Sequence, residues 1–242
     1  MLSRRLIKRR GFLSGGASLA GLALGVPGIL YGQQRKVDMA LALAADCSGS
    51  VQNEHYALQQ RGYGDAFRDP KVIKAIRSGI HGAIAVTYFQ WSGYRLQAQL
   101  VPWTILQADT EILAFAHALE RTERMIFSGG TSPGGAIEFG QALLMQTPFE
   151  TVRRVIDVSG DGRSNNGPPP DAARDRAVAG GIVINGLPIL HMEPEIDEYY
   201  RDHVIGGPGA FVMPARDFEA FATAIRRKLI LEIAGTGIPS RS

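Results

Sequence analysis

The hydrophobic and polar positions along the chain predict strands that alternate with helices. The clearest strand, residues 37–45, is an apolar run apart from Asp38, which is typical of a strand buried on both faces of a sheet. Two further runs, residues 83–91 and 96–103, are separated by only four residues. Because four residues cannot hold a crossover helix, we expect these two strands to pair antiparallel. Three more strands are predicted at residues 152–159, 182–188 and 210–213.

Capped and amphipathic segments between these runs predict the helices. Asp69-Pro70 ends the first helix, and Asp109 is a typical N-cap residue. Because helices separate most of the strands, the pattern predicts a doubly wound α/β fold: a mostly parallel, Rossmann-like sheet with helices on both faces and one antiparallel edge strand. The predicted helices are residues 52–67, 72–77, 109–119, 133–145, 171–179, 196–203 and 215–233.

Polar residues follow two of the predicted strands and lie in a third loop. Asp46-Cys47-Ser48-Gly49-Ser50 follows the first strand, and Asp161 follows the fourth. In open α/β sheets, ligands bind beyond the carboxyl ends of the strands, where the strand order reverses, and with the order 3-2-1-4-5-6 the first and fourth strands are neighbours there. Thr131, in the glycine-rich loop Ser128-Gly-Gly-Thr-Ser-Pro-Gly-Gly135, precedes the helix that leads to the fourth strand. We therefore expect three loops to converge on one crevice.

The side chains expected at this crevice offer only oxygen ligands. Carboxylates and hydroxyls suit Mg²⁺ or Mn²⁺ and do not suit zinc or copper. Each residue also has an ordinary interpretation, because the hydroxyls could cap the following helices and Asp161-Gly162 is a common turn pair. The predicted cation ligands are Asp46, Ser48, Ser50, Thr131 and Asp161.

The order Asp-x-Ser-x-Ser, then Thr after Gly-Gly, then Asp-Gly after a strand resembles the metal-ion-dependent adhesion site of von Willebrand factor type A domains. The resemblance covers residues 36 to about 235. Flanking segments such as Trp91-Ser-Gly93 and Ile205-Gly-Gly-Pro-Gly209 look like a mostly proteobacterial subgroup of that superfamily with no assigned function, the DUF1194-like proteins.

This resemblance implies a role for each predicted ligand. Ser48, Ser50 and Thr131 would bind the metal directly through their hydroxyls, and Asp46 and Asp161 would supply charge, partly through bridging water. The implied ion is Mg²⁺ or Mn²⁺, with Ca²⁺ less favoured. A protein partner would fill an exchangeable position on the ion with an Asp or Glu carboxylate. The implied function is metal-dependent protein binding or adhesion, and not enzymatic bond-breaking.

Two other functions stay open from the residues. The same cation could activate water in a metal-assisted hydrolase, although no histidine or further carboxylate has an obvious placement as a general base. A structural module with an empty site would show no response to metal. The sequence has no histidine pair with zinc-site spacing, no phosphate-binding glycine fingerprint and no Gly-x-Ser-x-Gly elbow.

The first 34 residues predict an export signal. Lys8-Arg-Arg-Gly-Phe-Leu-Ser14 and the uncharged run at residues 17–30 are similar to a twin-arginine signal. The run is shorter than the roughly 20 residues that span a membrane. We expect a periplasmic protein whose domain is residues 36–235, followed by a tail at 236–242. Without cleavage of the signal, the domain would be anchored to the inner membrane and face the periplasm.

The charge and the cysteine content of the chain narrow the remaining classes of function. Five of the 26 basic residues and no acidic residue precede Gln33, which leaves 21 basic against 23 acidic residues and a formal charge of −2. The charge pattern therefore gives no reason to expect nucleic-acid binding. Cys47 is the only cysteine, which excludes an intramolecular disulfide. Because it alternates with Asp46 and Ser48, we expect Cys47 to be a small buried residue that faces away from the crevice.

Asp157 interrupts the apolar pattern of the predicted fourth strand. It is a charged residue inside an apolar run, where an unpaired charge is costly. We expect it to face Arg153 or Arg154, or to accept a hydrogen bond from a residue around the metal.

Overall fold

Five strands form the sheet in the described part of the chain, residues 34–235 of this computed structural model. Their spatial order is third, second, first, fourth, fifth. All neighbours run parallel except the second and third strands, which pair antiparallel. This arrangement confirms the predicted doubly wound sheet with an antiparallel edge strand. The strands are β1 (Met39–Asp46), β2 (Ile84–Trp91), β3 (Gln97–Leu106), β4 (Arg154–Gly160) and β5 (Ile182–Pro188).

Within residues 34–235, seven α-helices cover the two faces of the sheet, and the sixth continues into a π-helical turn, Tyr200–Val204. No helix of this range is long and apolar enough to cross a membrane. The predicted export signal, apart from Gln34, and the predicted tail at 236–242 lie outside the described residues. The helices are α1 (Asn53–Arg68), α2 (Pro70–Arg77), α3 (Asp109–Glu120), α4 (Pro133–Met145), α5 (Pro170–Ala179), α6 (Ile196–Tyr199) and α7 (Phe221–Ala234).

Strand β1 is the centre of the core, and all its residues are fully buried. Because successive side chains point to opposite faces, Leu41 and Leu43 belong to the apolar cluster with α1, α2, α3 and α7. Ala42 and Ala44 belong to the cluster with α4 and α5. The small side chains on the second face leave room for α4 to lie close to the sheet. A Cβ at Gly140 of α4 would lie only 3.1 Å from Ile156.

Two predicted elements near the C-terminal end differ from the structure. Residues 210–213 form no strand, and their backbone pairs with β5 through an isolated bridge between Gly186 and Val212. Helix α7 begins at Phe221 and not at residue 215. The reason is a turn in which the Asp217 carboxylate accepts a 2.7 Å hydrogen bond from the backbone N–H of Ala220, so this segment forms a side-chain-stabilised turn before the helix.

Candidate metal centre

The loops after β1 and β4 bring four of the predicted ligands into one cluster. Strands β1 and β4 are parallel neighbours, so their carboxyl ends lie side by side. Ser50 Oγ donates a 2.7 Å hydrogen bond to Asp161 Oδ1 and lies 3.1 Å from Ser48 Oγ. Asp46 Oδ1 accepts a 2.7 Å hydrogen bond from the backbone N–H of Ser48, and its Oδ2 lies 3.4 Å from the backbone nitrogen of Asp161. The two contacts made by Asp161 join residues more than 100 positions apart.

Thr131 reaches the same place from the glycine-rich loop. Its backbone N–H donates a 2.8 Å hydrogen bond to Asn165 Oδ1, and its carbonyl accepts from the backbone N–H groups of Asn165 and Asn166 at 3.0 and 3.3 Å. These bonds tie the glycine-rich loop to the loop after β4. A Cβ at Gly162 would lie 3.8 Å from Thr131 Oγ1, so the threonine hydroxyl lies beside the chain that follows Asp161.

The hydroxyls of Ser48, Ser50 and Thr131 do not cap helix α1 or helix α4 in the described structure. Helix α4 is capped by Ser132, whose Oγ accepts a 3.3 Å hydrogen bond from the backbone N–H of Gly135. Helix α1 begins after Gln52 and has no side-chain cap. Ser48, Ser50 and Thr131 therefore do not serve as the caps that their sequence positions allowed.

The two carboxylates of the cluster are buried and share no cation. Asp46 is 0% exposed and Asp161 is 1% exposed, and neither has a basic side chain within 4 Å among residues 34–235. Burial, followed by the charge of Asp161, raises the pKa of Asp46 to about 7. Burial also raises the pKa of Asp161, which the hydrogen bond from Ser50 opposes. The cluster thus contains two buried carboxylates for which these residues provide no ion-pair partner.

An open cleft of about 400 Å³ lies over the cluster. Asp161 Oδ2 has no hydrogen-bond partner in the described structure, which leaves a buried acceptor at this place. Hydroxyl and carboxylate oxygens together fit a hard divalent cation. No group of three or more His, Cys, Asp or Glu side chains offers another metal site within residues 34–235. The cleft is lined by Gly49, Ser50, Gly130, Thr131, Asp161, Gly162, Arg163, Asn165, Met192 and Glu193.

The space behind Asp46 depends on a glycine that the sequence analysis did not single out. A Cβ at Gly160 would lie 2.7 Å from the Tyr200 hydroxyl, 2.8 Å from Asp46 Oδ2 and 2.9 Å from Trp91 Cζ2. The Tyr200 hydroxyl and Trp91 Nε1 are buried and have no hydrogen-bond partner in the described part of the chain. The signal available in the sequence was the position of Gly160, directly before the predicted ligand Asp161. The Cβ distances show why this position needs glycine.

Cys47 packs in the apolar core on the α1 side of the sheet, as its alternation predicts. The side chain is fully buried, and burial raises the pKa of the thiol far above its usual range. Cys47 is therefore a packing residue and not a nucleophile.

Asp157 pairs with Lys228, so the expected pairing with Arg153 or Arg154 was wrong. Lys228 Nζ lies 2.7 Å from Asp157 Oδ2 and donates a 3.0 Å hydrogen bond to Glu232 Oε1. All three side chains are 0–3% exposed. Arg153 instead donates to backbone carbonyls at the end of α7. The cation comes from the buried face of a helix that is distant in sequence, which the local sequence around Asp157 does not indicate.

Comparison with models of protein families identifies the family of this chain. A model described as "Protein of unknown function (DUF1194)" matches residues 36–237. The chain belongs to the DUF1194 family. The match covers the whole of the predicted domain, residues 36–235, and confirms the resemblance found in its motifs. No curated protein sequence matches this DUF1194 chain.

Solved structures show that the DUF1194 fold is that of a von Willebrand factor type A domain. Proximal thread matrix protein 1 from the mussel byssus, with a zinc-occupied metal-ion-dependent adhesion site, has a TM-score of 0.56 at 14% identity, over 83% of this chain and 49% of that chain. The von Willebrand factor type A protein from Catenulispora acidiphila has a TM-score of 0.57 at 16% identity, over 82% and 43%. The pilus adhesin SpaC from Lactobacillus rhamnosus GG has a TM-score of 0.59 at 12% identity, over 85% and 32%.

The DUF1194 chain therefore spans about half of the length of these structures, or less. At such low identities the likeness establishes the fold. Function has to be argued from the site itself.

Proposed function

We propose that this DUF1194 protein binds a partner through a divalent cation held between the loops after β1 and β4. The observation that carries the proposal is a pair of buried carboxylates without a cation from the described chain. Asp161 lines the open cleft, and Asp46 Oδ2 lies 3.4 Å from the Asp161 backbone nitrogen. Two like charges in a buried position are costly unless they are neutralised. A bound cation would neutralise both and would satisfy the unpaired oxygen of Asp161.

The five predicted ligands would share the ion. Ser48, Ser50 and Thr131 would bind it through their hydroxyls, and Asp46 and Asp161 would supply the charge. Mg²⁺ or Mn²⁺ suits this set of hard oxygen ligands. The zinc-occupied adhesion site of the mussel protein supports a divalent ion in a fold of this kind and places Zn²⁺ among the ions to test.

The cleft leaves the outer side of the ion open to a ligand. If the chain supplies few direct ligands, Mg²⁺ keeps exchangeable positions, and an Asp or Glu carboxylate of a protein partner would occupy one. Hydrolysis would need a general base beside the ion. Beyond the two site carboxylates, the acidic side chain in the cleft lining is Glu193, which is paired with Arg163 at 2.8 Å. This pairing favours binding over hydrolysis.

The proposed place of action is the periplasm. It rests on the twin-arginine pattern of residues 1–34, with Arg9-Arg10 before Gly-Phe-Leu. We expect a fusion of residues 1–34 to an export reporter to reach the periplasm, and the paired change of Arg9→Lys and Arg10→Lys to block it. Export of the changed fusion at the normal level would contradict the assignment. Fractionation of the cells would also show whether the uncleaved chain stays in the inner membrane.

Cation-dependent binding of acetate tests the function. After chelation, the protein would be supplied with Mg²⁺, Mn²⁺, Ca²⁺ or Zn²⁺, and acetate binding would be followed by ligand-observed NMR. We expect acetate to bind only when an ion is present, and Ser50→Ala to abolish the effect. The matched control is Ser159→Ala, because the Ser159 hydroxyl contacts Tyr63 and the Ala44 carbonyl and not the cleft. Acetate binding that is independent of the ion, or equal in both variants, would contradict the proposal.

A further inference from the structure

Large apolar side chains are exposed around the cleft. Eight large hydrophobic side chains of the described residues are at least 41% exposed, and four of them lie at this end of the sheet. Exposed apolar side chains that gather in one area mark interaction surfaces, whereas single ones are ordinary. The four are Leu96 (44%), Met125 (61%), Phe127 (64%) and Met192 (65%), and we refer to them as the apolar rim.

Two members of the apolar rim lie at the cleft. Met192 is part of the cleft lining itself. Leu96 lies against Gly129, the residue before Gly130 in the cleft lining. A ligand on the metal would therefore have exposed apolar side chains close to it.

Arg124 holds Phe127 beside the metal loop. Its guanidinium donates 3.1 Å hydrogen bonds to the backbone carbonyls of Cys47 and Ser48 and lies 5.3 Å from the centroid of the Phe127 ring. These contacts fix the segment that carries Phe127 to the loop that carries two of the predicted ligands. The exposed ring is thus attached to the site and does not belong to a separate surface.

Met125 extends the apolar rim into a second groove. This groove has a volume of about 390 Å³, and its walls include Leu100, Pro102 and Ala118. The backbone N–H of Met125 donates a 2.8 Å hydrogen bond to Gln90 Oε1, which holds the start of the groove in place. Met125 therefore lies at a second, partly apolar groove, which shares no lining residue with the cleft.

The charges near the apolar rim favour an acidic ligand. Arg124 is bonded to backbone carbonyls and to the Asn53 amide, and it has no carboxylate within 4 Å among residues 34–235. Arg95, next to Leu96, likewise has no such partner in that range. Arg124 contacts the loop that carries Ser48 and Ser50, so its guanidinium charge, which no carboxylate of the described residues neutralises, favours an anion at this surface.

We propose that the partner is a protein segment in which one acidic side chain is flanked by large apolar side chains. The carboxylate binds the ion in the cleft, and the flanking side chains bury the apolar rim. The inference rests on the proposed function and adds the chemistry of the partner to it.

Two short peptides test the inference in the presence of Mg²⁺. We expect acetyl-Leu-Asp-Leu-amide to bind at least about tenfold more tightly than acetyl-Ser-Asp-Ser-amide, a factor equivalent to about 1.4 kcal/mol. Phe127→Ser and Met125→Ser should each reduce the preference for the leucine peptide several-fold and leave the affinity for Mg²⁺ unchanged. The matched control is Met145→Ser, which alters an equally exposed methionine (68%) at the end of α4.

Equal affinities for the two peptides, or an equal loss in Met145→Ser, would overturn the inference. If the serine peptide still binds in a Mg²⁺-dependent way, the proposed function stands and only the partner chemistry is wrong. If neither Mg²⁺ nor either peptide binds, both the function and the inference fail. Binding to phosphatidylglycerol vesicles that requires Phe127, without a preference for the leucine peptide, would also overturn the inference and assign the apolar rim to a membrane.

Discussion

Two pairs of buried carboxylates lie in this domain, and only one of them has its own cation. Asp157 and Glu232 share Lys228, whose Nζ lies 2.7 and 3.0 Å from their oxygens. Asp46 and Asp161 have hydroxyl and amide partners but no basic side chain within 4 Å in the described residues. In the closed interior of the protein, Lys228 is the counterion of the acidic pair. At the open cleft we propose that an ion neutralises the acidic pair.

The internal pair is enclosed by its neighbours. Asn185 Nδ2 donates a 2.5 Å hydrogen bond to Glu232 Oε1, and Asn185 Oδ1 accepts a 3.0 Å bond from the backbone N–H of Phe211. One lysine still cannot neutralise two carboxylates. Burial raises the pKa of Asp157 to about 7, the charge of Lys228 lowers it, and Glu232 raises it again. The raised pKa of Asp157 therefore favours uptake of a proton at the internal pair.

Removing the ammonium group of Lys228 is expected to have the largest effect on the free energy of unfolding. Lys228→Met leaves two buried carboxylates without a counterion, and breaking a buried ion pair on one side destabilises by about 3–5 kcal/mol. Urea unfolding measures the change in the free energy of unfolding. Lys74→Met, on the exposed face of α2, is the control and should stay within about 0.5 kcal/mol of the parent. Similar values for the two variants would show that Lys228 does not neutralise this pair.

Filling the space behind Asp46 is expected to have the next largest effect. Gly160→Ala places a Cβ within 2.9 Å of three buried atoms, and overpacking of this kind costs about 1–3 kcal/mol. The variant should also weaken ion binding, because Asp46 is one of the atoms displaced. Gly49→Ala is the matched control, since its Cβ would meet nothing within 4 Å and neither glycine has a positive φ. Equal stability of the two variants in urea would contradict the packing described here.

The pH dependence of stability separates the two carboxylate pairs, and it is the smallest of these effects when it is measured per pH unit. The pKa of Asp157 is raised from 3.8 to about 7 in the folded protein, so its contribution to stability is present below about pH 4 and is lost as pH rises through about 7. The slope is at most about 1.4 kcal/mol per pH unit. Asp157→Asn should remove this slope when unfolding is measured in saturating Mg²⁺, which keeps Asp46 ionised. A slope that persists in the variant would assign the proton to another group.

The candidate site was predictable from sequence because strand ends are predictable. Asp46 and Asp161 directly follow apolar runs, and parallel neighbouring strands bring their carboxyl ends to one edge. The glycine-rich loop could be placed for the same reason, since it leads into the helix before β4. The structure brings all three loops together, and the role of these residues as metal ligands stays a prediction.

The remaining features depend on packing that no periodic pattern encodes. Lys228 and Glu232 are four residues apart on the buried face of α7, which was a visible signal of a buried ion pair. Which strand residue faces them depends on how α7 crosses the sheet. Phe127 lies in an irregular segment between α3 and α4, where neither helical nor strand periodicity applies. Its exposure beside the site could be found only from the folded chain.

Titration of Mg²⁺ into the chelated protein tests the central claim most directly. A ligand at one hundred times its Kd should raise the free energy of unfolding by about 2.7 kcal/mol. We predict a saturable increase of this kind in the parent protein and in Asp157→Asn, and none in Asp161→Asn. Mn²⁺, Ca²⁺ and Zn²⁺ would be titrated in the same way. No response of the parent to any of the four ions, or an equal response in Asp161→Asn, would contradict the claim that the cleft carboxylates hold a cation.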